Sequence, residues 1–190
     1  MKHFVSPDSL REDSYLLASK VIEDGFKPDY MVAIWRGGAN IGIMIHELLK
    51  YVGIDTDHIA IRTSRYSGIG LAKETVAVHN LGYLLERLNK DSKVLLVDDV
   101  YDTGLSLDAV FNALKEKLGP NCPTDIRVGT VYYKPLKNKT NRVPNYFVHE
   151  SSEWIVFPHE LEGLSIDEIS EAMGPNIGSI VQKSVTSIKK

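Results

Sequence analysis

One run of residues constrains this chain more than any other: Val94-Leu95-Leu96-Val97-Asp98-Asp99-Val100-Tyr101-Asp102-Thr103-Gly104-Leu105-Ser106. Four consecutive apolar residues read as a strand buried on both faces. Two carboxylates follow where such a strand would reach the edge of a sheet. A short loop containing Thr, Gly and Ser then opens a helix. A helix start presents unpaired N–H groups and a partial positive charge, which suits a phosphate. Gly104 lets the backbone approach that anion closely, and Thr103 and Ser106 add hydroxyl donors. The acids cannot serve the phosphate, so they must serve something beside it, either vicinal hydroxyls or a divalent cation. An anion cradle next to an acidic clamp fits a ribose 5-phosphate. The plainer alternative is a solvated strand end followed by a helix cap. Both features in this order, directly after an apolar strand, argue against it.

The remainder of the chain alternates between helical and strand-like periods. Residues 9–23 carry Leu10, Leu17 and Val21 at helical spacing, and Gly25 lies just past their end. Residues 30–35 read as a buried strand, broken by Gly37-Gly38 before a helix over 40–51. A strand over 58–62 leads to a polar loop, 63–74, containing Gly68 and Gly70. A strand over 75–78 and a helix over 81–88 come next. The strand 93–97, a loop over 98–105 and a helix over 106–118 form the central unit, closed by Gly119-Pro120. Strands over 126–133 and 146–149 follow, and two short helices separated by Gly174-Pro175 begin at Ser165. This alternation implies an α/β fold, a mainly parallel sheet with helices on both faces. Ligands in such sheets sit at the carboxyl ends of strands. The loops of interest therefore follow Trp35, Arg62, Val97 and Tyr133.

Composition narrows the function classes. A chain of 190 residues without a linker or repeat is expected to form a single domain over 1–190. A formal charge of -3 leaves no basic excess for a nucleic-acid backbone, so no nucleic-acid partner is expected. The one cysteine, Cys122, fits a reducing compartment. The opening residues turn polar and acidic too soon for a signal peptide. No apolar run reaches the roughly 18–20 residues of a membrane helix. A cytoplasmic protein with no membrane partner is the expectation.

The segment 94–106 resembles the signature of the type I phosphoribosyltransferases: an apolar strand, two acids, two mostly apolar residues, then Asp-Thr-Gly and a hydroxyl residue two further on. It lacks the Gly-Lys-Ser/Thr of a Walker loop and the Gly-x-Gly-x-x-Gly of a dinucleotide fold. The broader strand and loop pattern is similar to that family from about residue 30 to 160. The resemblance implies a small hood contributed mainly by about 134–165 and a helical tail over about 165–190. It implies Mg²⁺ and phosphoribosyl pyrophosphate, with pyrophosphate released. It also implies a homo-oligomer, a dimer or tetramer.

Three shorter stretches extend the likeness. Arg36 of Trp35-Arg36-Gly37-Gly38 can fork two donors onto an anion, and the glycines open backbone N–H groups to it. In the family this loop holds the pyrophosphate and often contains a cis peptide. Lys134, read alone, is a solvated strand end; in the 6-oxopurine members a Lys at this place donates to the ring carbonyl. Trp154, read alone, packs in a core; in the family reading it stacks on the purine, and the Trp154 and Ile155 backbone touches the base edge. The stretch Trp154 to Glu160 looks most like bacterial xanthine/guanine enzymes, and Glu160 takes the place of an acid near the metal. Two features depart from the hypoxanthine/guanine subgroup. The mobile-loop candidate reads Ser64-Arg65-Tyr66-Ser67 instead of a Ser-Tyr pair, and no Arg falls within ten residues after Glu160.

The resemblance implies transfer of a phosphoribosyl group to a hypoxanthine, guanine or xanthine base. Arg36, Gly37, Thr103, Gly104, Leu105 and Ser106 would bind phosphoribosyl pyrophosphate. Asp98 and Asp99 would hold the ribose hydroxyls and, with Glu160, the metal. The purine must lose a proton, and Asp102 is the expected base; adenine enzymes usually carry Ala there. Three rivals stand beside this reading. A signalling receiver domain would need a phosphoacceptor Asp at a later strand end, yet no Asp occurs between Ile126 and Ile166. A nucleic-acid-binding regulator on the same fold conflicts with the balanced charge. A transferase for adenine, uracil or orotate fits less well with Asp102, Lys134 and Trp154.

Overall fold

The computed structural model describes residues 2–66 and 75–188. It divides into two compact units, Arg11–Ser152 and Met1–Leu10 with Glu153–Lys190.

The larger unit is built on a six-stranded sheet. Its strands are β2 (Tyr30–Trp35), β3 (Asp57–Tyr66), β4 (Thr75–His79), β5 (Lys93–Tyr101), β6 (Asp125–Tyr133) and β7 (Tyr146–Glu150), in the order β4-β3-β2-β5-β6-β7. All neighbours are parallel except β3 and β4. The connection from β2 runs to one side of the sheet and that from β5 to the other. The strand order therefore reverses between β2 and β5, where an open α/β sheet leaves a crevice at its carboxyl edge.

Side-chain alternation divides the core. Val32 and Ile34 of β2, Val94 and Leu96 of β5, and Val128 of β6 are buried in one cluster with Leu84 of α3 (Gly82–Arg87) and Leu107, Val110 and Leu114 of α4 (Leu105–Leu118). On the other face, α1 (Pro7–Glu23) lays Leu17 over Gly129 of β6. There α2 (Gly37–Tyr51) brings Gly42 against Ala33 of β2. Strands apolar on both faces are what a helix-covered parallel sheet requires. A side-chain network also ties the end of α1 to the far edge of the sheet. Tyr146 donates to Asp24 at 2.8 Å, and Arg127 donates to both Asp24 and Tyr146. Burial and the Asp24 contact push the Tyr146 hydroxyl up to about 12.

The smaller unit has its own pairing. β1 (Lys2–Phe4) lies parallel to β8 (Trp154–Val156), with Lys2 opposite Trp154. α5 (Ile166–Met173) opens on a capping box in which Ser165 and Glu168 bond each other's backbone. α6 (Pro175–Ile188) follows a Gly174 turn, and Gly178 packs directly on Ser170 of α5. Among the described residues no helix is long and apolar enough to cross a membrane.

Several boundaries differ from the sequence expectation. The strand expected over 93–97 continues to Tyr101, so Asp98 and Asp99 are strand residues and not loop residues. Gly37 and Gly38 belong to the first turn of α2 instead of a break before it. The polar stretch from 63 to 66 extends β3 by pairing with β4; the rest of the expected loop, 67–74, lies outside the described residues.

Leu96 is fully buried in the central strand. Leu96→Ala is expected to cost about 2–5 kcal/mol in urea unfolding, the range for emptying a packed core site.

Candidate active site

The site forms where the carboxyl ends of β2 and β5 meet. β2 ends at Trp35, the Trp35–Arg36 peptide is cis, and α2 begins at once with Gly37. A Cβ on Gly37 would lie 1.8 Å from Oδ2 of Asp99, and one on Gly38 would lie 2.2 Å from the carbonyl oxygen of Val97. Side chains at both positions are thereby excluded, and the amides of α2's first turn reach the end of β5. The Gly38 N–H bonds the Asp98 carboxylate. Arg36 stands directly before this turn.

β5 carries the acids to this edge. Asp99 is buried at 8% exposure, and its Oδ1 accepts from the Val100 N–H at 2.7 Å. Asp98 Oδ1 accepts from the Asp99 N–H at 3.0 Å. Burial first, and then the charge of Asp99, hold the Asp98 carboxyl well above the usual carboxylate range.

Beyond Tyr101 the chain turns into α4. Gly104 adopts φ 77° at the helix N-cap, in the left-handed region that glycine enters freely. A Cβ there would also strike the Tyr101 ring at 2.5 Å. Thr103 Oγ1 accepts from the Leu105 N–H at 3.4 Å. Asp98 to Gly104, with Ser106 and Leu107, line a cavity of about 200 Å³.

Lys134 follows the end of β6, and its backbone N–H donates to the Tyr101 carbonyl at 2.9 Å. The sequence alone reads Lys134 as solvated. It is instead buried at 5% exposure, with Nζ 3.5 Å from Oδ2 of Asp102. The other oxygen of Asp102, Oδ1, is buried and has no hydrogen-bond partner among the described residues.

Of the expected site residues, the larger unit therefore brings together Arg36, Gly37, Asp98, Asp99, Asp102, Thr103, Gly104, Leu105, Ser106 and Lys134. Trp154, Ile155 and Glu160 belong to the smaller unit. There Trp154 is exposed, Ile155 is buried, and Glu160 Oε2 accepts from the Phe157 N–H at 3.4 Å. Sequence reasoning missed the segment 138–142, which bonds to the loop after β5. Lys139 N–H donates to the Thr103 carbonyl at 3.0 Å. No local pattern announces a contact between residues this far apart in the chain.

The glycine geometry is directly testable. Gly38→Ala must displace backbone atoms of β5 and is expected to cost about 1–3 kcal/mol in urea unfolding. Gly82→Ala, with nothing within 4 Å of its Cβ, should stay within about 0.5 kcal/mol.

Comparison with known proteins is consistent with this geometry. The family model described as a phosphoribosyl transferase domain matches residues 12–165. A purine phosphoribosyltransferase from Pyrococcus horikoshii Ot3 is 28% identical, with a TM-score of 0.66 over 86% of this chain and 97% of that one. A Neisseria gonorrhoeae hypothetical protein with bound ppGpp is 23% identical, with a TM-score of 0.71 over 93% and 97%. The Helicobacter pylori xanthine-guanine-hypoxanthine phosphoribosyltransferase is 21% identical, with a TM-score of 0.66 over 85% and 96%; both likenesses are of fold. Among curated proteins none matches. An acid pair at a strand end, a glycine-opened anion cradle at a helix start and a matching family model over most of the sequence lead to one conclusion: the chain belongs to the phosphoribosyltransferases of type I fold.

Proposed function

We propose that this protein transfers the phosphoribosyl group of phosphoribosyl pyrophosphate to a 6-oxopurine, giving the nucleoside 5'-monophosphate and pyrophosphate. The observation that carries this reading is the Lys134–Asp102 pair at the rim of the cradle. A lysine ammonium can only donate and a carboxylate can only accept. A 6-oxopurine offers the complement, a ring carbonyl beside an N–H of the five-membered ring. Adenine would set an amino group against Lys134, donor against donor.

The roles follow from the chemistry of the step. The bond to the anomeric carbon breaks through a cation-like centre, as in glycoside chemistry. Arg36 and the Gly37 amide hold the departing pyrophosphate. Thr103, Gly104, Leu105 and Ser106 hold the 5-phosphate, and Asp98 and Asp99 hold the ribose hydroxyls. Asp102 takes the purine proton, while Lys134 orients the carbonyl. Trp154 and Ile155 contact the base, as the family resemblance implies.

Two adjacent carboxylates whose proximity disfavours double ionisation form a hard oxygen donor set that fits Mg²⁺. Asp98 and Asp99, with Glu160, would hold the ion, which supplies charge neutralisation to the leaving group. A cytosolic homo-oligomer, dimer or tetramer, belongs to the same reading; Ile43, Tyr51 and Val52 leave apolar surface exposed on α2 and just after it.

The test is a spectrophotometric panel of hypoxanthine, guanine, xanthine, adenine, uracil and orotate with phosphoribosyl pyrophosphate and Mg²⁺. Turnover of a 6-oxopurine without adenine is expected. Turnover of another base alone removes the roles given to Lys134 and Trp154. Asp102→Ala should lower kcat by about 10²–10⁴, the span of positioned acid–base catalysis, and leave phosphoribosyl pyrophosphate affinity nearly unchanged. Wild-type turnover by that variant would remove Asp102 from the mechanism. Trp154→Ala should raise the purine KM alone; equal changes for both substrates would mark Trp154 as structural.

A further inference from the structure

Tyr101 occupies a place where the sequence pattern asks only for an apolar residue, yet its hydroxyl is used. The ring is buried at the end of β5, and Gly104 rests on its edge. The hydroxyl hydrogen-bonds with Thr140 Oγ1 at 2.9 Å and lies 3.1 Å from the Arg142 carbonyl oxygen. Residues 138–142 form a closed strap around that contact. Asn138 accepts from the Thr140 N–H at 2.9 Å and donates to the Arg142 carbonyl at 2.7 Å. The strap is anchored to α4, because Arg142 donates to Asp108 at 3.4 Å and stacks on the Phe111 ring. It is anchored to the loop by the Lys139 N–H on the Thr103 carbonyl.

We infer that Tyr101 and Thr140 are positioning residues for the anion cradle, joining the loop 102–106 to the strap 138–142 so that its amides stay aimed at a bound phosphate. The inference rests on the ribose 5-phosphate reading of that cradle. A loop containing glycine has many alternative conformations, and an anion site made of backbone amides works only when they converge beforehand. The Tyr101 ring limits the loop from below, and the strap limits it from the side.

The test separates ring from hydroxyl. Tyr101→Phe keeps the ring, Thr140→Val removes the partner oxygen, and Thr140→Ser restores it. Each of the first two is expected to weaken ribose 5-phosphate binding about three- to tenfold by calorimetry, the effect of one lost net hydrogen bond. The KM for phosphoribosyl pyrophosphate should rise in step and the purine KM should stay constant. The double variant should cost less than the sum of the two singles, because the Tyr101–Thr140 contact is common to both. Thr140→Ser should return to within about twofold of wild type. Hydrogen exchange in the ligand-free protein should quicken at amides 103–106 and stay unchanged at 94–97.

Unchanged affinity and exchange in Tyr101→Phe, with wild type binding normally, overturns the inference alone. Equal rises in both KM values also overturn it, because they signal general softening. Wild-type protein that fails to bind ribose 5-phosphate overturns the reading of the cradle, and the inference with it. Should Tyr101→Phe not fold, Thr140→Val and its serine rescue carry the same comparison.

Discussion

The contact on which the site depends is the backbone approach of α2's first turn to the end of β5. Two glycines permit it, and any Cβ at either position would overlap Asp99 or the Val97 carbonyl. This packing places an N–H of the α2 turn on the Asp98 carboxylate. It also sets the start of α2 and the loop before α4 side by side at the carboxyl edge, where the strand order reverses. Two helix starts then converge on one crevice, and each brings partial positive charge. The acids of β5 lie between them. The sheet thus delivers two anion-facing ends with one acidic stripe in the middle, an arrangement suited to a sugar carrying phosphates on both sides.

Charge in this crevice is concentrated on neighbouring carboxylates. Asp98 and Asp99 are neighbours at the end of a buried strand, and burial together with mutual repulsion works against ionising both. Lys134 is buried near Asp102 at 3.5 Å, longer than a strong ion pair. By contrast, the network at the far edge is closed: Asp24 accepts from Tyr146 and Arg127, and these contacts draw the exposed Asp24 carboxyl below its ordinary value. Satisfied charges sit where the chain needs to be held.

Much of this was legible in residue order. Continuous apolar runs mark β2, β5 and β6 because strands covered by helices on both faces need no polar alternation. The cradle was legible because its parts are contiguous, from Val94 to Ser106. What escaped was set by contacts distant in sequence. Asp98 to Tyr101 look like loop by composition, but pairing with β6 keeps them extended. β1 escaped because a three-residue strand needs its partner β8, about 150 residues away, to exist at all. Lys134 looks solvated until the Tyr101 carbonyl fixes its backbone and turns its side chain inward. Tyr101 reads as one more apolar residue, because its hydroxyl's partner comes from a strap that lies some forty residues further on.

A buried acceptor without a donor costs about 1–3 kcal/mol, and folded chains retain few of them. Asp102 Oδ1 is one, while its companion oxygen faces the Lys134 ammonium. Asp102 also lines the cavity at the carboxyl edge, so this carboxylate stands beside the crevice with one oxygen near Lys134. Under the proposed reaction the purine N–H would donate to this carboxylate, and the Lys134 ammonium would donate to the neighbouring carbonyl. Under the same reading a base that set an amino group against Lys134 would meet donor with donor, so this pair would select among purines.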